Sequence, residues 1–91
     1  MSQVNYIRHL NRVLREFYQN DRITSSHRSL YLAFFELWNQ KHFPKTIMVN
    51  SKQVMGLAKI RSRTTYHKLL SELESWGYLQ YRPSNNPHIG S

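Results

Sequence analysis

Apolar residues recur with the period of an α-helix at the beginning of the chain. They follow the i, i+3, i+4, i+7 rule on one side of a helical wheel, and they are Tyr6, Ile7, Leu10, Val13, Leu14 and Phe17. The opposite, polar side carries the arginines Arg8, Arg12 and Arg15. The pattern predicts an amphipathic helix over about 5–18 whose arginines form a solvated face, with an auxiliary contact to phosphate as the alternative.

The next periodic segment is apolar on nearly every side. Two stripes of large apolar residues lie side by side over 30–38, which predicts a central helix that neighbours cover on more than one side. Ser25 or Ser26 is a suitable N-cap, and Pro44 prevents continuation. A helix over about 25–41 is therefore expected.

A shorter helix is predicted after a brief extended run. The β-branched stretch 46–49 indicates a short strand, and the Asn50 that follows it is typical of an N-cap. The helix is expected over about 51–58. Its predicted inward-facing residues are Val54, Met55 and Leu57.

The fourth helix is predicted to begin at the cap residue Ser62, after a turn over 59–61. It is expected to run to about Trp76, because Gly77 is the usual left-handed stop. Its apolar face is Tyr66, Leu69, Leu70, Leu73 and Trp76.

The end of the chain has the pattern of a β-strand and a turn. Residues 78–82 alternate as a strand does, and 83–87 combine Pro, Ser and Asn as turns do. Four residues follow Pro87, which is short for a return strand. The hairpin is therefore expected to be reduced, or the chain is a piece of a longer protein.

The charge balance narrows the classes of partner. Thirteen Lys and Arg oppose five Asp and Glu among 91 residues, giving a net charge of +8. Such an excess indicates a polyanionic partner, with nucleic acid favoured over an anionic membrane. The polar N-terminus does not resemble a signal peptide, and the longest apolar run is far below the ~20 residues that span a bilayer. We expect a cytoplasmic, nucleoid-associated protein with no membrane partner.

The positive charge is concentrated in one part of the sequence. Between residues 37 and 71 there are seven basic residues and no acidic one, and the acids resume at Glu72 and Glu74. This stretch contains the two short helices with helix-turn-helix spacing. In that motif the second helix enters the major groove by its N-terminal half.

The fourth helix has a basic, hydrogen-bonding face opposite its apolar face. A helical wheel places Thr64, Lys68 and Ser71 outward, with Arg63 and His67 beside them. Arginine stands in the first turn, where an acid would ordinarily complement the helix dipole, so an anionic partner is indicated. The candidate DNA-contacting residues are Ser51, Lys52 and Gln53 at the third helix, Lys59, Arg61 and Ser62 at the turn, Arg63, Thr64, His67, Lys68 and Ser71 on the fourth helix, and Arg82, Asn85 and Asn86 after it.

The segment 60–87 resembles the core of bacterial winged helix-turn-helix proteins. In these proteins a recognition helix ends in a Leu-x-x-x-Gly-Tyr-Leu/Ile signature, represented here by Leu73, Gly77, Tyr78 and Leu79. The resemblance is greatest to small regulators and accessory proteins of bacterial mobile elements, and more distant to the N-terminal domains of replisome-organiser proteins. It implies recognition-helix positions at Arg63, Thr64, His67 and Lys68, and a wing that includes Arg82, Asn85 and Asn86.

The resemblance and the patterns together predict a mainly α fold with a small β wing. One winged-helix domain is expected over 1–91, with an N-terminal helix in 1–20, a core in 25–82 and a truncated wing in 83–91. The expected function is sequence-specific binding of double-stranded DNA in transcriptional regulation. The alternatives are an accessory role in replication initiation or excision of a mobile element, or a protein-interaction module. The sequence leaves open whether the protein forms a homodimer.

Other chemistry has little support in the sequence. There is no cysteine, the five histidines lack metal-ligand spacing, and the three glycines are isolated, so no phosphate-binding loop is present. The five acids form no convincing catalytic pair. We expect neither an enzyme nor a metal site nor a cofactor.

Overall fold

Four α-helices make up most of the chain in the computed structural model, which describes residues 3–80, with side chains from residue 6 onward. They are α1 (Gln3–Gln19), α2 (Ser25–Gln40), α3 (Ser51–Ala58) and α4 (Arg63–Ser75). The mainly helical prediction is therefore confirmed. None of these helices combines the length and the apolar character that crossing a membrane requires.

Helix α1 packs by the apolar face that the sequence predicted, with one exception. Val13 and Phe17 are buried, and the Phe17 ring meets the Tyr31 ring of α2 edge-on at 5.3 Å between centroids. The prediction that Ile7 faces the core was wrong, since this side chain is 54% exposed. Ile7 lies at the edge of the apolar arc, about 100° around the helix from Tyr6.

The N-terminus of α2 is capped by Thr24, and the prediction of Ser25 or Ser26 as the cap was wrong. Thr24 Oγ1 accepts a hydrogen bond from the backbone N–H of His27, and His27 Nδ1 accepts one from the backbone N–H of Thr24 at 2.9 Å. This reciprocal pair is a capping box in which histidine takes the place of the usual Glu or Gln.

Helix α2 is central, as its apolar pattern predicted. Its Tyr31 packs against α1, while Ser29 Oγ donates a hydrogen bond to the carbonyl oxygen of Ala58 at the end of α3. His27 reaches Glu72 of α4. The fully buried side chains that these contacts enclose are Leu30, Val54, Tyr66 and Leu73.

The connection from α2 to α3 turns on two left-handed residues. His42 and Phe43 have φ angles of 63° and 57°. The Phe43 ring stacks on Tyr6 at 3.8 Å between centroids, and Trp38 Nε1 donates to the carbonyl oxygen of Pro44 at 2.7 Å. This aromatic packing holds the beginning of α1 against the end of α2.

The predicted strand at 46–49 was wrong, because this segment has no regular secondary structure. Its side chains do alternate, with Met48 67% exposed and Val49 buried. No strand forms anywhere in residues 3–80, so Val49 has no partner strand there with which to form a ladder.

The predicted β wing is not seen in the part of the chain that the structure describes. Residues 78–80, the first three of the predicted strand 78–82, are irregular. The remaining two positions and the predicted turn and truncated wing of 83–91 lie outside the described residues.

Helices α3 and α4 have the boundaries that their caps predicted. Asn50 caps α3, Ser62 caps α4, and Gly77 has the left-handed φ of +86° that ends α4. The expected inward position of Leu57 was wrong, since it is 37% exposed. The apolar face of α4 is confirmed: Tyr66, Leu69, Leu70 and Leu73 are buried and Trp76 is half-buried.

Candidate nucleic-acid interface

The turn between α3 and α4 is fixed by one buried residue between two exposed basic ones. Lys59 adopts a left-handed conformation with φ of 62°, which reverses the chain. The backbone N–H of Ile60 then donates to the carbonyl oxygen of Met55 at 2.9 Å. Because the Ile60 side chain is buried in the core, the neighbouring Lys59 and Arg61 are left exposed at the surface.

Two backbone N–H groups in the first turn of α3 already have a hydrogen-bond partner in the cap residue. Asn50 Oδ1 accepts hydrogen bonds from the backbone N–H groups of Lys52 and Gln53 at 2.9 and 3.3 Å. The side chains of Lys52 and Gln53 are exposed. They are therefore the parts of this turn that remain open to an anionic partner.

Ser51 supports the interface from beneath. Only 8% of this residue is exposed, and its Oγ accepts a hydrogen bond from the Arg63 guanidinium at 3.0 Å. This bond joins the first residue of α3 to the first residue of α4. Since a guanidinium has five N–H donors, Arg63 is oriented by Ser51 and keeps other donors for a ligand.

Helix α4 presents the polar face that the helical wheel predicted. Thr64, His67, Lys68 and Ser71 are all exposed, and the first turn of the helix contains no acidic residue. The cap residue Ser62 is exposed too, but its Oγ accepts from the backbone N–H of Thr65 at 3.2 Å. The positive end of the helix dipole and the Arg63 side chain thus lie at the same end of α4.

Glu72 has a structural partner that the sequence did not reveal. Its Oε1 lies 2.8 Å from Nε2 of His27, which is 4% exposed. The other ring nitrogen, Nδ1, accepts from the backbone N–H of Thr24. A backbone N–H can only donate, so the ring proton is on Nε2 and is donated to Glu72.

The His27–Glu72 hydrogen bond belongs to a larger contact at the C-terminal half of α4. The Trp76 ring lies 5.0 Å from the His27 ring, and the Arg22 guanidinium carbon lies 4.5 Å from the centre of the Trp76 ring as a cation–π contact. Residues at the N-terminus of α2 therefore pack against the C-terminal end of α4. The basic face of α4 lies toward its opposite, N-terminal end. Because His27 and Glu72 are 45 positions apart in the chain, no pattern of local spacing predicts this contact.

The structure brings most of the predicted site residues to one helix-turn-helix unit. Exposed side chains of this unit are Lys52, Gln53, Lys59, Arg61, Ser62, Arg63, Thr64, His67, Lys68 and Ser71. Arg82, Asn85 and Asn86 lie outside the described residues. Within the described residues, no group of three His, Cys, Asp or Glu is placed to hold a metal ion. Comparison of the chain with protein-family models, with curated proteins and with solved structures found no match.

Proposed function

We propose that this protein is a winged-helix protein that binds double-stranded DNA sequence-specifically, with α4 as the recognition helix, in transcriptional regulation. One observation carries the proposal: two short helices, α3 and α4, are joined by a tight turn, and the second exposes a basic, hydrogen-bonding face. A helix of this kind fits the major groove, which has the width of one α-helix.

Base reading is assigned to the first two turns of α4. Arg63 and Lys68 suit the acceptor atoms of guanine, and the methyl group of Thr64 suits thymine. The hydrogen bond from Arg63 to Ser51 supports this assignment, because a side chain already oriented loses less rotamer freedom on binding. His67 and Ser71 add hydrogen-bonding groups on the same exposed face.

Phosphate contacts are assigned to the residues around the reading helix. Lys59 and Arg61 flank the turn, and Lys52 and Gln53 lie at the start of α3. Contacts of this kind set the register of a protein on the duplex without reading its sequence. The proposed wing would add Arg82, Asn85 and Asn86 at the phosphates or the minor groove.

The proposal is tested by measuring duplex affinity after selecting bound oligonucleotides from a random pool. Fluorescence anisotropy compares wild type with Lys68→Ala and with Lys45→Ala, which removes the same charge from an exposed site outside the proposed interface. A lost base contact costs about 1–3 kcal/mol, so Lys68→Ala should weaken binding to the selected duplex by about 5- to 150-fold. Lys45→Ala should change it by less than about threefold.

The salt dependence of the affinity is an independent measurement on the same complex. Each phosphate contact contributes a slope of about −0.9 to log K against log salt. A slope corresponding to several contacts supports docking on DNA.

Equal losses in Lys68→Ala and Lys45→Ala would contradict groove reading in favour of nonspecific attraction. Absence of duplex binding at about 100 mM salt would contradict the proposal and favour a protein-interaction module.

A further inference from the structure

A second basic surface lies on α1, away from the reading helix. Arg8, Arg12 and Arg15 are all exposed, and their spacing of four and three residues aligns them along one side of the helix. The same side is opposite Val13 and Phe17, which are buried. All three arginines therefore lie at the surface of α1, with the Arg12 guanidinium turned toward His9, whose Nε2 lies 3.3 Å from the Tyr31 hydroxyl of α2.

The arginine stripe, defined as Arg8, Arg12 and Arg15, lies on the other side of α2 from α3. Ser29 of α2 contacts α3 through the Ala58 carbonyl oxygen, and Tyr31 contacts α1 through Phe17. Ser29 and Tyr31 are two residues apart in one helix, so they point to nearly opposite sides. A duplex docked on α3 would thus lie across α2 from the arginine stripe. The end of α1 approaches α4 at Tyr78, beyond the C-terminal end of α4 and away from its basic first turns.

The only acid of α1, Glu16, offsets one of the three positive charges of the stripe. Both Arg12 and Glu16 lie near the Tyr31 phenol of α2: burial raises its pKa, Arg12 opposes this rise, and Glu16 adds to it. The Arg12 guanidinium also lies 3.2 Å from Nδ1 of His9. With three arginines and one glutamate, α1 keeps an excess of two positive charges.

The length of the stripe suits a DNA backbone. Arg15 follows Arg8 by seven positions, a rise of about 10 Å, and duplex DNA carries about six negative charges over that length. Guanidinium groups are well suited to phosphate because they bind its oxygens in pairs. One turn beyond Arg15, the Tyr18 side chain is 89% exposed, and its hydroxyl can donate to a phosphate as well.

We infer that the arginine stripe binds the phosphate backbone of a second double-stranded DNA segment, so that one protein molecule bridges two duplexes. The inference rests on the proposed function for the first duplex, which is held by α4. The second contact is made to phosphates alone and is therefore independent of sequence.

A two-duplex capture assay tests the inference. The selected duplex is fixed to beads, the protein is added, and retention of a second, fluorescent duplex of unrelated sequence is measured. The variant Arg8→Gln/Arg12→Gln/Arg15→Gln should bind the bead-bound duplex within about twofold of wild type. It should capture the second duplex at least tenfold less well.

A control with the same change of net charge separates the stripe from general attraction. Three exposed basic residues outside both surfaces are replaced together, as Arg28→Gln/Lys41→Gln/Lys45→Gln. This variant should capture the second duplex within about threefold of wild type. Sedimentation analysis should give the same mass for wild type and both variants, since the proposed bridge needs no dimer.

Three outcomes would overturn the inference. The first is no capture by wild type, and the second is equal capture by wild type and the arginine-stripe variant. The third is a tenfold loss of affinity for the bead-bound duplex in that variant, which would place the stripe on the first duplex. Failure of the proposed function looks different, because Lys68→Ala would then bind the bead-bound duplex no more weakly than Lys45→Ala does.

Discussion

Replacing Glu72 by alanine removes the carboxylate that accepts the Nε2 proton of His27. His27 is 4% exposed and Glu72 is 32% exposed at their side chains, and the two atoms lie 2.8 Å apart. A buried donor left without a partner costs about 1–3 kcal/mol. Because the half-buried position of Glu72 lets water approach, we expect Glu72→Ala to lower the free energy of unfolding by about 1–2 kcal/mol.

Two further variants separate the hydrogen bond from the charge. Glu72→Gln keeps an acceptor oxygen and should cost less than about half as much as alanine. Glu36→Ala removes an equal charge from an exposed residue of α2 whose carboxylate lies 3.4 Å from the Gln40 amide. As a surface substitution, it should stay within about 0.5 kcal/mol of wild type.

Urea unfolding followed by circular dichroism at the helix band measures these differences, and thermal unfolding gives a second value. For a domain of this size, 1 kcal/mol lowers Tm by about 4–8 °C, so Glu72→Ala should melt roughly 4–16 °C below wild type. Unfolding of Glu72→Ala at the same urea concentration as Glu36→Ala would refute the structural role of the pair. Equal loss in Glu72→Gln and Glu72→Ala would refute the contribution of the hydrogen bond itself and favour the charge, because the Gln amide can still bond the ring nitrogen.

Further predictions address the core, a cap and a buried phenol. Leu73→Ala, at a fully buried site, should cost about 2–5 kcal/mol in urea unfolding, whereas Leu57→Ala, at a site 37% exposed, should cost clearly less. Asn50→Ala removes the side-chain acceptor at the start of α3 and should cost about 1 kcal/mol in the same assay. Burial raises the pKa of Tyr31 above 10.0 despite the opposing charge of Arg12, so the unfolded chain ionises first as pH rises. Wild type should therefore lose stability from about pH 10 upward toward the folded pKa, and Tyr31→Phe should lose less between urea titrations at about pH 8 and 10.5.

Much of the helical framework could be predicted because its signals are local. Asn50 and Ser62 each accept hydrogen bonds from backbone N–H groups within three residues, and Gly77 tolerates a positive φ. Such caps depend on the chemistry of a few neighbouring residues. The capping box at Thr24 was missed because His27 is not the residue type usually found there.

Residues at the edges of apolar arcs could not be assigned from periodicity alone. Ile7 and Leu57 have the spacing of core residues and yet are partly exposed. A wheel gives the direction of a side chain from its own helix, but burial depends on whether another element lies in that direction. The same reason explains 46–49, which has β-branched residues and no strand partner in the described chain.

The candidate site likewise has features that the sequence predicts and features that depend on tertiary packing. Exposure of Thr64, Lys68 and Ser71 on α4 follows from the wheel, because the opposite face is apolar. The burial of Ser51 under Arg63 depends on how α3 and α4 cross. No spacing rule within either helix contains that information.

By itself, the sequence determined the four helices, the ends of α3 and α4, the concentration of positive charge between residues 37 and 71, and the exposed face of α4. These features depend on interactions among residues less than about two helical turns apart. Only the tertiary structure decided that His27 holds Glu72 and that α1 and α3 lie on different sides of α2. Both are contacts between residues distant in the chain, which depend on the packing of whole helices around a shared core.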